Sequence, residues 1–523
     1  MTKTFGVSKT SILLAATLAY GTAQSQTTQP IPSFETSSCE TVKGYDPDWA
    51  SYGEEYGLKL TPKKDYDFIF GFYQMAEKDG KLYVAFGGAI GPDGPVKGAR
   101  PGAVVVLNAD TLQYEKAIPL PFHAHAMTLD AARNKLMVTH TSANAFSLVD
   151  LTQEQVTCLK PSTNIGDLPF RGRYIQSDED GNFYINYNTI RNGEGASLIV
   201  KYNKDGKKDK DFNIREVEKN VAFPLFYQDG TLFAGSKGVK SIAAATGEVQ
   251  ALSGENKEVT MFNYTSGPAG TLLAADMNST GKPGLYLFDL SNKTQSALFT
   301  GTTSLELAYK ADAAQALVTN LESKTVTIVD LPANEKSLEG RPFRNIRISD
   351  DVDFFFRGIV SNIHLRQNTK NTEFFVTQKF WADKNLEKHG LISKITLADF
   401  VKGIDGLDKP GACTIQTFNI ADKTVSEKKA CRIMDEQESY AAEIERLKSN
   451  VAHLKKENSK TEKDLAQAKT KLDDMNNKKD EQSAKEIRAE ITRLEQYQSV
   501  LQQDLPQAES AIGAVQNLMR QSS

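Results

Sequence analysis

Two histidines stand two residues apart in Pro121-Phe122-His123-Ala124-His125. On an extended strand, alternate side chains share a face, so His123 and His125 would present both imidazoles to one side. Such a pair can share a transition metal, or trade protons with a substrate near neutral pH. No third ligand accompanies them at a useful spacing. Hydrogen-bonded structural histidines are therefore the plainer expectation; no cofactor is assigned, and a transition metal stays open as the alternative. A second pattern is the tripeptide Phe-Arg-Gly, at residues 170–172 and again at 356–358. Arg171 and Arg357, with Arg173 beside the first copy, could converge on a carboxylate or phosphate, because a guanidinium offers a planar fork of donors. The competing role is structural, with each arginine bridging neighbouring elements. The sequence contains no P-loop, dinucleotide fingerprint, GxSxG elbow or HExxH helix, and no catalytic residue is assigned. At a formal charge of −4, with its lysine runs short and mixed with aspartate, the chain has no pull toward nucleic acid.

These residues need a scaffold, and the sequence describes it through a repeat. Ala316–Leu331 (ALVTNLESKTVTIVDL) and Leu136–Leu151 (LMVTHTSANAFSLVDL) align without a gap, 180 residues apart. Each reads as a β-hairpin: a short apolar strand, a polar turn, and a second strand ending in Val-Asp-Leu. Related pairs occur at 81–107, 182–202, 231–243, 271–290 and 373–397, giving seven units. A lone four-stranded sheet cannot bury both faces. Seven of them arranged radially can, and that is a β-propeller. By unit order His123 and His125 belong to the first strand of the second blade, which would line the central channel. The hairpin alignment sets His140 against Asn320, so His140 is expected at a turn. Asp150, Asp289 and Asp330 recur at strand ends, which reads as turn chemistry.

The segments LVTNLESKTVTIVDL and MVTHTSANAFSLVDL resemble YVTN-type repeats, over residues of about 68–400. The resemblance implies a seven-bladed propeller. His-x-His before a hairpin is also similar to lactonase-type propellers. That implies, as one alternative, a hydrolase or isomerase with a His/Arg site at the channel mouth; a metal- or haem-binding propeller is another.

The chain ends bear on location and partners. Lys3 and Lys9 precede the apolar run Ile12–Ala19, and Gly21-Thr22-Ala23 offers small residues for cleavage. Residues 1–23 read as an export signal, which implies a periplasmic location. Residues 24–65 read as a lead-in, 66–420 as the propeller and 433–523 as a helical unit. The four cysteines suit an exported protein. Their spacing favours Cys413–Cys431, closing a short loop, with Cys39–Cys158 as the second pair. No stretch after the leader is long and apolar enough for a membrane span. From Ile444 to Met475, and from Ile487 to Met519, apolar residues alternate steps of three and four around the polar break at 476–483. Two nearly equal arms suit an antiparallel coiled-coil hairpin, with an oligomeric coiled coil as the alternative. The expected function is that of an exported binding or scaffold protein whose partner is an envelope protein or a small anionic ligand.

Overall fold

The computed structural model describes residues 36–38 and 72–522, apart from short segments at 88–89, 92–93, 96–101, 123, 141–144, 162–163, 166–167, 170, 192–193, 213–214, 219–224, 236, 253–260, 278–282, 350–357, 367–368, 381–390, 421 and 478–480. Seven antiparallel sheets of four strands follow one another along the chain. They are blade 1 (residues 72–119), blade 2 (124–161), blade 3 (171–218), blade 4 (225–251), blade 5 (261–298), blade 6 (304–347) and blade 7 (358–419). The strands of each blade are lettered A to D in chain order. Every strand A meets the strand A of the next blade, and that of blade 7 meets that of blade 1. The molecule is a closed seven-bladed β-propeller with its A strands innermost.

Strands B and C are the apolar runs that the repeat marked. They are buried because each blade is covered on both faces. In strand B of blade 2, Leu136 and Val138 pack toward blade 1 with Ala85, Val104 and Val106. Met137, between them, packs toward blade 3 with Phe183 and Ile185. One strand thus serves two interfaces, and each large apolar side chain buried there contributes about 1.5–3 kcal/mol. Strand C ends in a recurring side-chain turn. Asp150 Oδ1 accepts the N–H groups of Thr152 and Gln153, and Asp289 Oδ1 those of Ser291 and Asn292. Asn108 does the same for Asp110 and Thr111 in blade 1.

Both chain ends add strands to the outer edges. Thr36–Ser38 pairs with strand D of blade 2, the strand that carries Cys158. Arg432–Met434 pairs with strand D of blade 6, so sheet pairing runs on past residue 420. The Cys413–Cys431 disulfide, with Cα atoms 5.4 Å apart, ties strand D of blade 7 to the segment leading there. Cys158 is also disulfide-bonded; the expected partner, Cys39, lies outside the described residues.

The C-terminal unit is a helical hairpin of α1 (Glu436–Asn477) and α2 (Glu481–Gln521). Val451 and Leu454 pack against Leu501 and Ala508, and Leu465 and Ala468 against Ile491 and Leu494. Lys455 pairs with Glu509 and Lys469 with Glu495, so the arms run antiparallel. α2 continues through Pro506. Among the described residues, no helix is long and apolar enough to cross a membrane.

Candidate functional site

Among the described residues, six A strands carry a β-bulge against strand B, at corresponding heights. The register shifts lie between Phe72 and Met75, Ala124 and Met127, Gly172 and Tyr174, Met261 and Asn263, Ser304 and Leu307, and Val360 and Ile363. In blade 4, strands A and B pair in even register. A bulge turns an extra residue out of the ladder and re-aims its side chain. Here the bulges form one tier around the innermost strands.

The paired Thr of the repeat holds this tier. Thr319 Oγ1 accepts the Glu306 N–H at 3.0 Å and donates to the Ser361 carbonyl of blade 7 at 2.6 Å. Thr139 Oγ1 accepts the Ala126 N–H at 3.2 Å, and Thr377 Oγ1 accepts the Asn362 N–H at 3.0 Å. The hydroxyl thus satisfies a donor that the bulge has removed from the ladder. At the matching position in blade 3 stands Asn186. It is fully buried, and neither of its amide atoms has a hydrogen-bond partner among the described residues.

The Thr recurs in blades 2, 6 and 7, whereas the bulge residues differ from blade to blade. Gln74 Oε1 accepts the Met127 N–H at 2.8 Å, joining blade 1 to blade 2. The His125 ring lies 5.2 Å from the Tyr73 ring. Asn362 Nδ2 donates to Glu306 Oε1 at 2.8 Å, and both side chains are buried. Blades 3 and 5 add aromatic surface. Tyr174 of blade 3 and Phe262 of blade 5 meet edge-on at 6.0 Å, and Leu305, Leu321 and Met277 pack beside Phe262. The tier therefore offers a carboxylate, two amides and an imidazole on blades 6, 7, 1 and 2, and aromatic surface on blades 3 and 5. Such an array can orient a small polar ligand against an apolar wall.

Of the candidate residues, His125 stands in the bulge of blade 2. His123 and Arg357 lie outside the described residues. Arg171 and Arg173 belong to strand A of blade 3, with their side chains outside the described set. The two Phe-Arg-Gly copies sit at different rungs. Gly172 borders its bulge directly, whereas Gly358 precedes Val360, which borders the bulge of blade 7. The 186-residue spacing is thus a match of words and not of register. His140 is not a turn residue. It ends strand B of blade 2 fully buried, with Nε2 2.8 Å from Ser147 Oγ and Phe122 edge-on to its ring at 5.5 Å. Its counterpart Asn320 is equally buried and reaches Thr300, Thr325 and Thr327. Sequence reasoning passed over Gln74, Glu306 and Asn362; the signal for Glu306 and Asn362 was the Thr opposite, whereas Gln74 stands opposite Ala85 and a bulge leaves no periodic trace. Among the described residues, no group of three His, Cys, Asp or Glu side chains is placed to hold a metal ion.

No family model matches the sequence, and no curated protein matches it. Solved structures align with the chain at a distance. Hsv2 of Kluyveromyces lactis is 9% identical, with a TM-score of 0.40 over 69% of this chain and 99% of that one. The dihydro-heme d1 dehydrogenase NirN, in complex with DHE, is 10% identical, with a TM-score of 0.40 over 70% of this chain and 68% of that one. The computationally designed Ika8 protein is 9% identical, with a TM-score of 0.35 over 61% of this chain and 96% of that one. Likenesses this distant speak to neither family nor function.

Proposed function

We propose that the protein is an exported binding protein that holds a small anionic ligand, or an anionic group of an envelope partner, at the bulge tier of its channel. The observation that carries this reading is the contrast within the tier. Its Thr latch repeats in blades 2, 6 and 7, while the bulge residues Gln74, His125, Glu306 and Asn362 do not. Residues that only build blades repeat with the blades; residues that read a ligand need not. Arg173, the extra residue of the blade 3 bulge, is the proposed anion ligand. Glu306 and Asn362 would then read a hydrogen-bond donor on the same molecule.

Export is supported by the leader-like residues 1–23 and by the Cys413–Cys431 disulfide, a bond that persists in oxidising compartments. The Val-Thr pair shared with YVTN-type repeats supports a place among those propellers. The helical hairpin, with charged residues along its outer faces, is the proposed contact for a second envelope protein.

Calorimetric titration of the full chain with citrate and with inorganic phosphate tests the ligand reading. The expected result is saturable binding of at least one of them, weakened about tenfold or more in Arg173→Gln, the loss of one charge-assisted contact of about 1.5–3 kcal/mol. Binding unchanged in that variant would place the anion elsewhere. No binding of either probe would count against a small-anion site.

A further inference from the structure

The chain itself crosses six of the seven junctions between neighbouring blades. The junction of blade 7 with blade 1 is different. All four strands of blade 1 come from residues 72–119, and strands A to D of blade 7 from 358–419. Among the described residues, neither sheet takes a strand from the other end of the chain. The added strands at 36–38 and 432–434 lie on the outer edges of blades 2 and 6, and not on blade 1 or blade 7.

Side chains alone close this junction among the described residues. Phe72, Val84 and Val105 of blade 1 pack on Phe375, Ile392 and Phe418 of blade 7. Beside this apolar contact, Arg366 of blade 7 reaches three carboxylates. Its Nε lies 2.8 Å from Glu77 Oε1, and its Nη1 lies 2.7 Å from both Asp110 Oδ1 and Glu373 Oε2. Glu77 and Asp110 belong to blade 1. Lys394 of blade 7 stands 3.6 Å from Glu373 and donates to the Asp110 carbonyl at 3.0 Å. Lys428 adds a weaker positive charge near Lys394. His364, two residues before Arg366, lies over Phe375 with ring centroids 6.4 Å apart.

We propose that the junction of blades 7 and 1 is a charge-dependent clasp, where the ring opens first, and that acid releases it. The groups facing Arg366 are Glu77, Asp110, Glu373, Lys394 and His364. Closed, the junction needs ionised carboxylates and a neutral histidine. Burial first, and the Arg366 guanidinium second, hold the His364 pKa down to about 4. A solvated histidine titrates near 6.5. As pH falls from about 6.5 to about 4, the open form takes up a proton that the closed form refuses, so closure loses stability across that window. The Asp110 carboxyl, lowered chiefly by its hydrogen bond from Arg366, is ionised in the closed ring. Its contribution is lost only as pH falls further, through the carboxylate range.

Hydrogen exchange of the full chain, read at about pH 7.5 and about pH 5 and corrected for intrinsic rates, tests this. The expected result is that strands 72–78 and 358–365 lose protection about tenfold more at the lower pH than the strands of blade 3. His364→Gln, neutral at both pH values, removes much of that excess. Arg366→Met exchanges fast at this junction already at the higher pH. Should that variant fail to accumulate, Glu77→Gln gives the same change at smaller size. An equal loss of protection in all blades, or a full acid-specific excess retained in His364→Gln, overturns the proposal.

Discussion

Thr319 shows what the repeat is for at the scale of one residue. Its Oγ1 takes a bulge N–H of its own blade and donates to a carbonyl of the next. Thr319→Val keeps the shape and removes both bonds, leaving a buried donor unmet. The expected cost is about 1–3 kcal/mol by urea denaturation. The same change at Thr139 is expected to cost less, because its bonds to Ala126, at 3.2 and 3.4 Å, are longer and stay within blade 2. No change at either site would remove the hydroxyl from the account of the bulge. A second prediction concerns His364, whose ring in an NMR titration should stay neutral until about pH 4. A midpoint near the ordinary 6.5 would mean that neither burial nor Arg366 acts on it. The sequence showed the Thr positions because they recur. It hid Glu306 and Asn362, because one extra residue in a strand disturbs alternation without announcing itself. His140 misled for a related reason: it aligned with Asn320 correctly, but the position is a buried strand end in both blades and not an open turn.

At the scale of elements, strands B and C were legible wherever they are covered on both faces, as in Ala103–Asn108 and Thr325–Asp330. The outer strands were not. Val249–Ala251 is exposed along its length, so burial imposes no pattern on it. The strand at 36–38 was read as lead-in for a similar reason: its pairing with blade 2 depends on residues more than a hundred positions away. The helical arms were the clearest elements, since their three-and-four steps record one continuous seam. Asn458, four residues after Leu454 and three before Thr461, is partly buried and bonds along its own helix to Glu462 at 3.0 Å. Leu501→Ala in the full chain should destabilise the hairpin by about 2–5 kcal/mol, seen as loss of helical circular dichroism at lower temperature. An unchanged helical signal would mean that the arms do not depend on each other. Reducing the Cys413–Cys431 bridge, which closes a separation of 18 residues, should cost the propeller up to about 3 kcal/mol.

On the scale of the whole molecule, the count of seven units gave the ring, but nothing local could show how it closes. Arg366 and Glu77 are 289 positions apart, and no spacing rule connects them. The same holds for the bulge tier, proposed as the binding site, which exists only once the A strands stand side by side. Its central claim is that the bulge residues, and not the blade edges, read the ligand. A crystal structure of the protein purified from its native source, solved finely enough to show the channel contents, tests this most directly. The account predicts a bound molecule at the height of the bulges, hydrogen-bonded to the side chains of Glu306, Asn362 or Gln74. A tier holding water alone, with a bound molecule elsewhere on the propeller, would contradict it.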